Sequence, residues 1–239
     1  MFKIALTAGH YKHTAGKRCL KSLDKNETRE WVLNDRICDK VEKLLKSYDG
    51  YSLLRTDDTT GEKAISIEER VAKANKFKAD IYISVHHNAG INGGKGGGIV
   101  AYTYTNVDSV TKAWQKDLYA TLIKHTGLAG NRSTPMAAAD LGECRMTAMP
   151  AVLLELGFMD SATDVPIITT EAYADKCATA IVDVLVRRGK LTKKVVATPT
   201  TTTNSGKVYR VQVGAFTDKK NAEKLVTELK GKGYSAIIV

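Results

Sequence analysis

Between residues 3 and 188 the hydrophobic pattern switches repeatedly between short apolar runs and longer stretches spaced for a helix, and few folds accept that alternation. Residues 3–7, 51–55, 80–86, 98–104 and 151–156 are the short runs. Residues 27–47 place Leu33, Ile37, Val41, Leu44 and Leu45 on one helical stripe. Ser66-Ile67-Glu68-Glu69 is a capping box that opens a helix running to Phe77. Residues 110–126 and 171–188 complete the helical set. Strands alternating with helices make βαβ units, so the expected class is α/β, a mostly parallel twisted sheet with helices on both faces. Such sheets bind ligands beyond the carboxyl ends of their strands.

The periodicity stops at a Thr-rich stretch around Pro199 that reads as a linker. Beyond it, residues 208–214 alternate like a strand, 219–231 have helical spacing, and 236–239 form a second apolar run. That is a small C-terminal βαβ unit. The expected organisation is a main domain over 1–192, a linker over 193–206 and the accessory unit over 207–239. Charge follows the same division. The last 49 residues hold 9 Lys and Arg against 3 Asp and Glu, net +6 of the chain's total of +10. A basic surface suits polyanions in general. Aromatics interleaved with basic residues are sparse and no nucleic-acid motif is present, so nucleic acid is not an expected partner.

No apolar run approaches the roughly 18–20 residues of a membrane span. The start, MFKIALTAGH, reads as a first strand and not as a leader peptide, so synthesis in the cytoplasm is the expectation, with any action outside depending on release by other means. Cys19, Cys38, Cys144 and Cys177 are scattered without a close pair. They fit reduced thiols better than a disulfide framework or a cysteine metal site.

Two of the apolar runs end in histidine, at His10 and at His86-His87, which delivers imidazoles to the carboxyl edge of the sheet. A third run, AVLLELGF, holds Glu155 between Leu154 and Leu156. A buried unpaired carboxylate costs several kcal/mol, about 3 or more, so this one needs a reason. Each residue alone is ordinary; the convergence of three on one edge is not. Two histidines and a carboxylate are a standard catalytic zinc set that leaves one position open for water. An unligated carboxylate such as Glu155 can then carry the proton from water to a leaving amine.

The motifs Ala8-Gly9-His10, Ser84-Val85-His86-His87-Asn88-Ala89 and Pro150-Ala151-Val152-Leu153-Leu154-Glu155-Leu156-Gly157-Phe158 resemble the zinc N-acetylmuramoyl-L-alanine amidases, as do Arg55-Thr56-Asp57 and Glu69-Arg70 with Ala74-Asn75 and Ala79-Asp80. The resemblance covers about residues 2–190. It implies zinc as cofactor, held by His10, His86 and a helix-borne Glu, which is Glu30 or its rival Glu27. It implies Glu155 as the catalytic carboxylate and Asn88 and Arg132 as substrate-binding residues, with His87 at a variable position. The glycines usual after the first His are replaced by Tyr11-Lys12-His13, and the Gly usual after Asn131-Arg132 by Ser133. Both changes bear on the substrate cleft.

The implied reaction is hydrolysis of the bond between N-acetylmuramic acid and L-alanine in peptidoglycan, in a phage or prophage endolysin or an autolysin. A zinc peptidase on stem peptides and a non-catalytic wall-binding protein are the alternatives. The C-terminal Val208-Tyr209-Arg210-Val211-Gln212-Val213-Gly214-Ala215-Phe216 and Asn221-Ala222-Glu223 resemble the first half of a SPOR domain. That family binds peptidoglycan, and a half-domain raises the expectation of a homodimer.

Overall fold

The computed structural model describes residues 1–194 and 211–238. The chain divides into two units, Met1–Lys194 and Val195–Val239. In the first, β1 (Phe2–Ala8) leads to α1 (Glu30–Leu45), β2 (Tyr48–Asp49), β3 (Tyr51–Arg55), α2 (Ile67–Phe77), β4 (Ile81–Asn88) and β5 (Ile99–Thr103). Then follow α3 (Ser109–Thr126), β6 (Met136–Ala138), α4 (Gly142–Arg145), β7 (Ala151–Phe158), α5 (Val165–Ile168), α6 (Glu171–Gly189) and β8 (Thr192–Lys193). The main sheet has the order β3-β1-β4-β7-β5-β6. Its pairs are parallel except β5 against β7, which is antiparallel.

The α/β expectation therefore holds, and the strand alternation sorts the two faces. Ile4, Leu6, Ile81, Ile83, Val85, Val152 and Leu154 join one apolar cluster with Leu33, Ile37, Trp114, Leu118, Ile181 and Leu185 from α1, α3 and α6. Ala5, Tyr82, Ala151 and Leu153 point the other way and pack with Ala74 of α2 and Cys144 of α4. Near-continuous apolar strands are what a sheet covered on both faces needs. Ser66 caps α2 through the Glu69 N–H, as its capping box foretells. All four cysteines are buried and free.

The short elements escape a reading of periodicity. β2 and β8 pair antiparallel, which extends the first unit through Lys194 and not to 192. The linker expected at 193–206 lies, from residue 195 on, outside the described residues. In the second unit α7 (Lys219–Gly231) forms as expected, with the Asp218 side chain accepting the Lys220 N–H. The strand expected at 208–214 is described only from Val211, and neither that stretch nor 236–238 forms a strand among the described residues. Val211 is 87% exposed and Ile237 77%, so these stretches lack the packed face that makes strand pairing favourable.

Candidate active site

β1 and β4 are neighbours, and both deliver imidazole at their carboxyl ends. His10 follows β1 in the left-handed region, at φ 66°. That conformation costs a non-glycine residue of order 1–3 kcal/mol and persists only where the surroundings hold it. Arg70 of α2, itself buried, does so. It donates from Nη2 to the His10 carbonyl (2.7 Å) and from Nη1 to the Ala8 carbonyl (2.6 Å) and Thr7 Oγ1 (2.9 Å). Replacing Arg70 by Met is expected to destabilise the protein by about 3 kcal/mol, since four bonds to a buried cation are lost, one of them from Nε to the Ile65 carbonyl, and three carbonyls are orphaned. Denaturant unfolding measures this; a change below about 1 kcal/mol would mean that the turn at His10 holds itself. Beside it, Gly9 has no side chain because a Cβ there would overlap the His86 ring.

Glu30 opens α1, is 1% exposed, and sits at the helix end where the backbone dipole favours an anion. Its Oε2 lies 3.2 Å from His10 Nε2 and its Oε1 3.1 Å from His86 Nδ1. The His87 N–H donates to Glu30 Oε1 (3.2 Å), which fixes the carboxylate to the end of β4. Glu27, the rival, instead pairs with Arg18 and Lys21. His87 turns to α1, with Nδ1 2.8 Å from Asn34 Oδ1; burial pushes its pKa down to about 3 and keeps it neutral. Lys17 Nζ stands 3.7 Å from Glu30 Oε2.

Burial raises the Glu30 carboxyl, but His10 and His86 outweigh it and hold the pKa far below the usual range. Burial lowers His86, but the Glu143 and Glu30 carboxylates outweigh it and push its pKa up to about 10. His10, Glu30 and His86 each offer a ligand atom, and the three atoms lie within 4.8 Å of one another. Two imidazole nitrogens and one carboxylate are a donor set that zinc accepts. Glu30 Oε2 is buried with no aligned hydrogen-bond donor, as suits an atom kept for a cation.

Glu155 stands on β7 directly across from His86 on β4, and the flanking Leu154 and Leu156 are fully buried on the other face. Its Oε2 is buried without a partner. Burial is the main cause that pushes its pKa up to about 7, with His86 pulling down and Glu30 pushing up. Asn88 and Arg132 do not join this group. Asn88 Oδ1 accepts the Ala89 N–H, and the Arg132 guanidinium lies over the Phe158 ring at 5.4 Å.

Sequence reasoning passed over Glu143, which comes from the single turn α4 and faces His86 from the side opposite Glu30. No local pattern flags a Glu in Leu141-Gly142-Glu143-Cys144. A cleft of about 240 Å³ opens beside the group, lined by His10, Tyr11, Thr14, Ile65, Arg70, His86 and Glu143 among others. Tyr11 is one of the residues standing where the resembled family has glycine. The loop between β4 and β5 that rims this sheet edge is pinned by Asp160, whose Oδ2 accepts from the N–H groups of Gly90, Ile91 and Asn92 at 2.8 Å each. Asp160→Ala is expected to cost about 3 kcal/mol in chemical unfolding, and a loss under about 1 would mean that water replaces the carboxylate.

Residues 4–187 match the family described as N-acetylmuramoyl-L-alanine amidase, and residues 187–239 match the SPOR domain. The chain is 30% identical over 196 residues to the sporulation-specific N-acetylmuramoyl-L-alanine amidase of Bacillus subtilis (strain 168), covering 82% of this chain and 70% of that protein. It is 28% identical to the N-acetylmuramoyl-L-alanine amidase CwlM of Bacillus licheniformis over 239 residues, 100% of this chain and 85% of the relative. Among solved structures, the catalytic domain of CwlV, an N-acetylmuramoyl-L-alanine amidase from Bacillus (Paenibacillus) polymyxa var. colistinus, shares the fold with a TM-score of 0.69 at 23% identity, covering 79% of this chain and 98% of that one.

Proposed function

The chain belongs to the N-acetylmuramoyl-L-alanine amidase family, and from that premise we propose that it is a zinc-dependent lysin in which His10, Glu30 and His86 hold the metal and Glu155 carries the proton. Membership carries the activity class, cleavage of the N-acetylmuramoyl-L-alanine amide of peptidoglycan. The observation that carries the metal is the convergence of three ligand atoms within 4.8 Å, from the end of β1, the start of α1 and the end of β4. When bound, zinc supplies a Lewis acid for the scissile carbonyl and makes water acidic enough to ionise near neutral pH.

The chain's own residues do the rest. Arg70 and Gly9 keep His10 and His86 in place. Glu155, with an unpartnered Oε2 and a pKa near 7, accepts a proton from the attacking water and returns it to the departing L-alanine nitrogen. The cleft at Tyr11, Ile65 and Arg70 offers room for the substrate beside His10 and His86. Asn88 and Arg132 are read as outer contacts to the glycan or peptide.

No helix among the described residues is long and apolar enough to cross a membrane. For the C-terminal unit the reading is peptidoglycan binding, supported by the SPOR match. A homodimer through that unit is the companion hypothesis, motivated by the exposure of Val211, Val213 and Ile237. A monomer in sedimentation equilibrium well above micromolar concentration overturns it.

Mass spectrometry of purified sacculi digested with and without zinc tests the whole. Zinc-dependent appearance of stem peptides with a free L-alanine amino group is expected. New amines elsewhere in the peptide point to a peptidase, and sacculi that bind the protein but release nothing point to a wall-binding role.

A further inference from the structure

On β4, every second side chain points to the face covered by α2 and α4, and on that face stand Tyr82, Ser84 and His86 in succession. One carboxylate meets all three. Glu143 of α4 accepts a hydrogen bond from Tyr82 Oη at Oε1 (3.1 Å) and from Ser84 Oγ at Oε2 (2.6 Å), and that same Oε2 lies 3.4 Å from His86 Nε2. Glu143 is only 4% exposed, and Arg70 Nη1 stands 3.9 Å from its Oε1. The imidazole of His86 is thus flanked on both edges, by Glu30 at Nδ1 and by Glu143 at Nε2. The 3.4 Å separation is wider than an ordinary hydrogen bond, and His86 Nε2 has no aligned acceptor.

We propose that Glu143 is a positioning residue for the metal centre: it accepts the Nε2–H of His86, so that His86 meets zinc through Nδ1. This rests on the reading of His10, Glu30 and His86 as zinc ligands. The chemical reason is general. A ligating histidine needs its second nitrogen protonated and bonded, because that bond sets the tautomer, fixes the ring and makes the ligating nitrogen a better donor. Tyr82 and Ser84 hold the carboxylate still, so its orientation does not depend on His86. A carboxylate serving the core alone has no need of a place beside that nitrogen, where Ser84 and Tyr82 already satisfy it.

The test is nitrogen-15 NMR of the zinc-loaded full chain, with histidine labelled and His86 assigned through His86→Gln. Protonated Nε2 and a metal-shifted Nδ1 on His86 are expected. Metal on Nε2 with the proton on Nδ1 overturns the proposal while leaving the zinc site intact. Failure to bind stoichiometric zinc overturns the metal reading itself. In parallel, Glu143→Gln is compared with the parent in a chelator competition for zinc and in thermal unfolding without metal. A 10–100-fold loss of zinc affinity is expected, the range for a lost outer carboxylate partner. Unchanged zinc affinity, whether or not the melting temperature falls, assigns Glu143 to the core alone.

Discussion

Glu155→Gln is expected to lower kcat for release of stem peptides by about 100- to 10,000-fold, the usual share of a positioned proton carrier, while zinc content stays unchanged. The exchange keeps the shape of a side chain whose neighbours across the strands are packed, so folding is not at issue. What it removes is the oxygen Oε2, buried and without a partner, as a proton acceptor. Metal analysis together with quantified muropeptides decides: activity within about threefold of the parent would remove Glu155 from the chemistry. The sign of the pH effect follows from the same residue. Its carboxyl is pushed up to about 7 by burial, and the reaction needs it ionised, so activity falls as pH drops through that value. A bound cation favours the ionised form, which places the acid limb at or below about 7.

The second large effect is that of the metal. Dialysis against a strong chelator is expected to abolish activity, and zinc alone to restore it. Zinc at a thousandfold excess over its Kd should also stabilise the fold by about 4 kcal/mol, seen as a rise in melting temperature. Full lytic activity in chelator overturns the reading. The binding should also be proton-linked. Without metal, Glu143 and Glu30 hold a proton on His86 by pushing its pKa up to about 10, and zinc must displace one. Affinity therefore rises with pH, about tenfold per unit for each proton released. Calorimetry in buffers of different ionisation enthalpy reads that proton directly, and zinc binding independent of pH between 6 and 8 would contradict it.

How much of this was legible in the sequence follows from which interactions are local. The apolar runs that became β1, β3, β4, β5 and β7 and the stripes that became α1, α2, α3 and α6 carry their period in the chain itself. The two-residue strands β2 and β8 and the single turns α4 and α5 are too short to show one, and their partners are remote in sequence. His10 and His86 stand out as candidates in the sequence because each ends an apolar run. The choice between Glu27 and Glu30 could not be made from spacing. Both precede the stripe, and only the folded chain turns Glu27 toward Arg18 and Lys21 and Glu30 toward the histidines.

By itself, then, the sequence determined the α/β class and pointed to one sheet edge and to His10, His86 and Glu155 as candidates there, because strand periodicity and strand ends are local properties. Tertiary structure decided which Glu stands beside the two histidines, the left-handed turn at His10 held by Arg70, and the presence of Glu143 behind His86. Arg70 lies 60 positions from His10, and Glu143 lies 59 from Ser84. Contacts across such distances exist only once β1, β4 and α4 are packed, and their energies come from burial, which raises the cost of every unpaired charge. The chain's local pattern brings the two imidazoles to one edge, and the packed core then dictates which carboxylate faces which nitrogen.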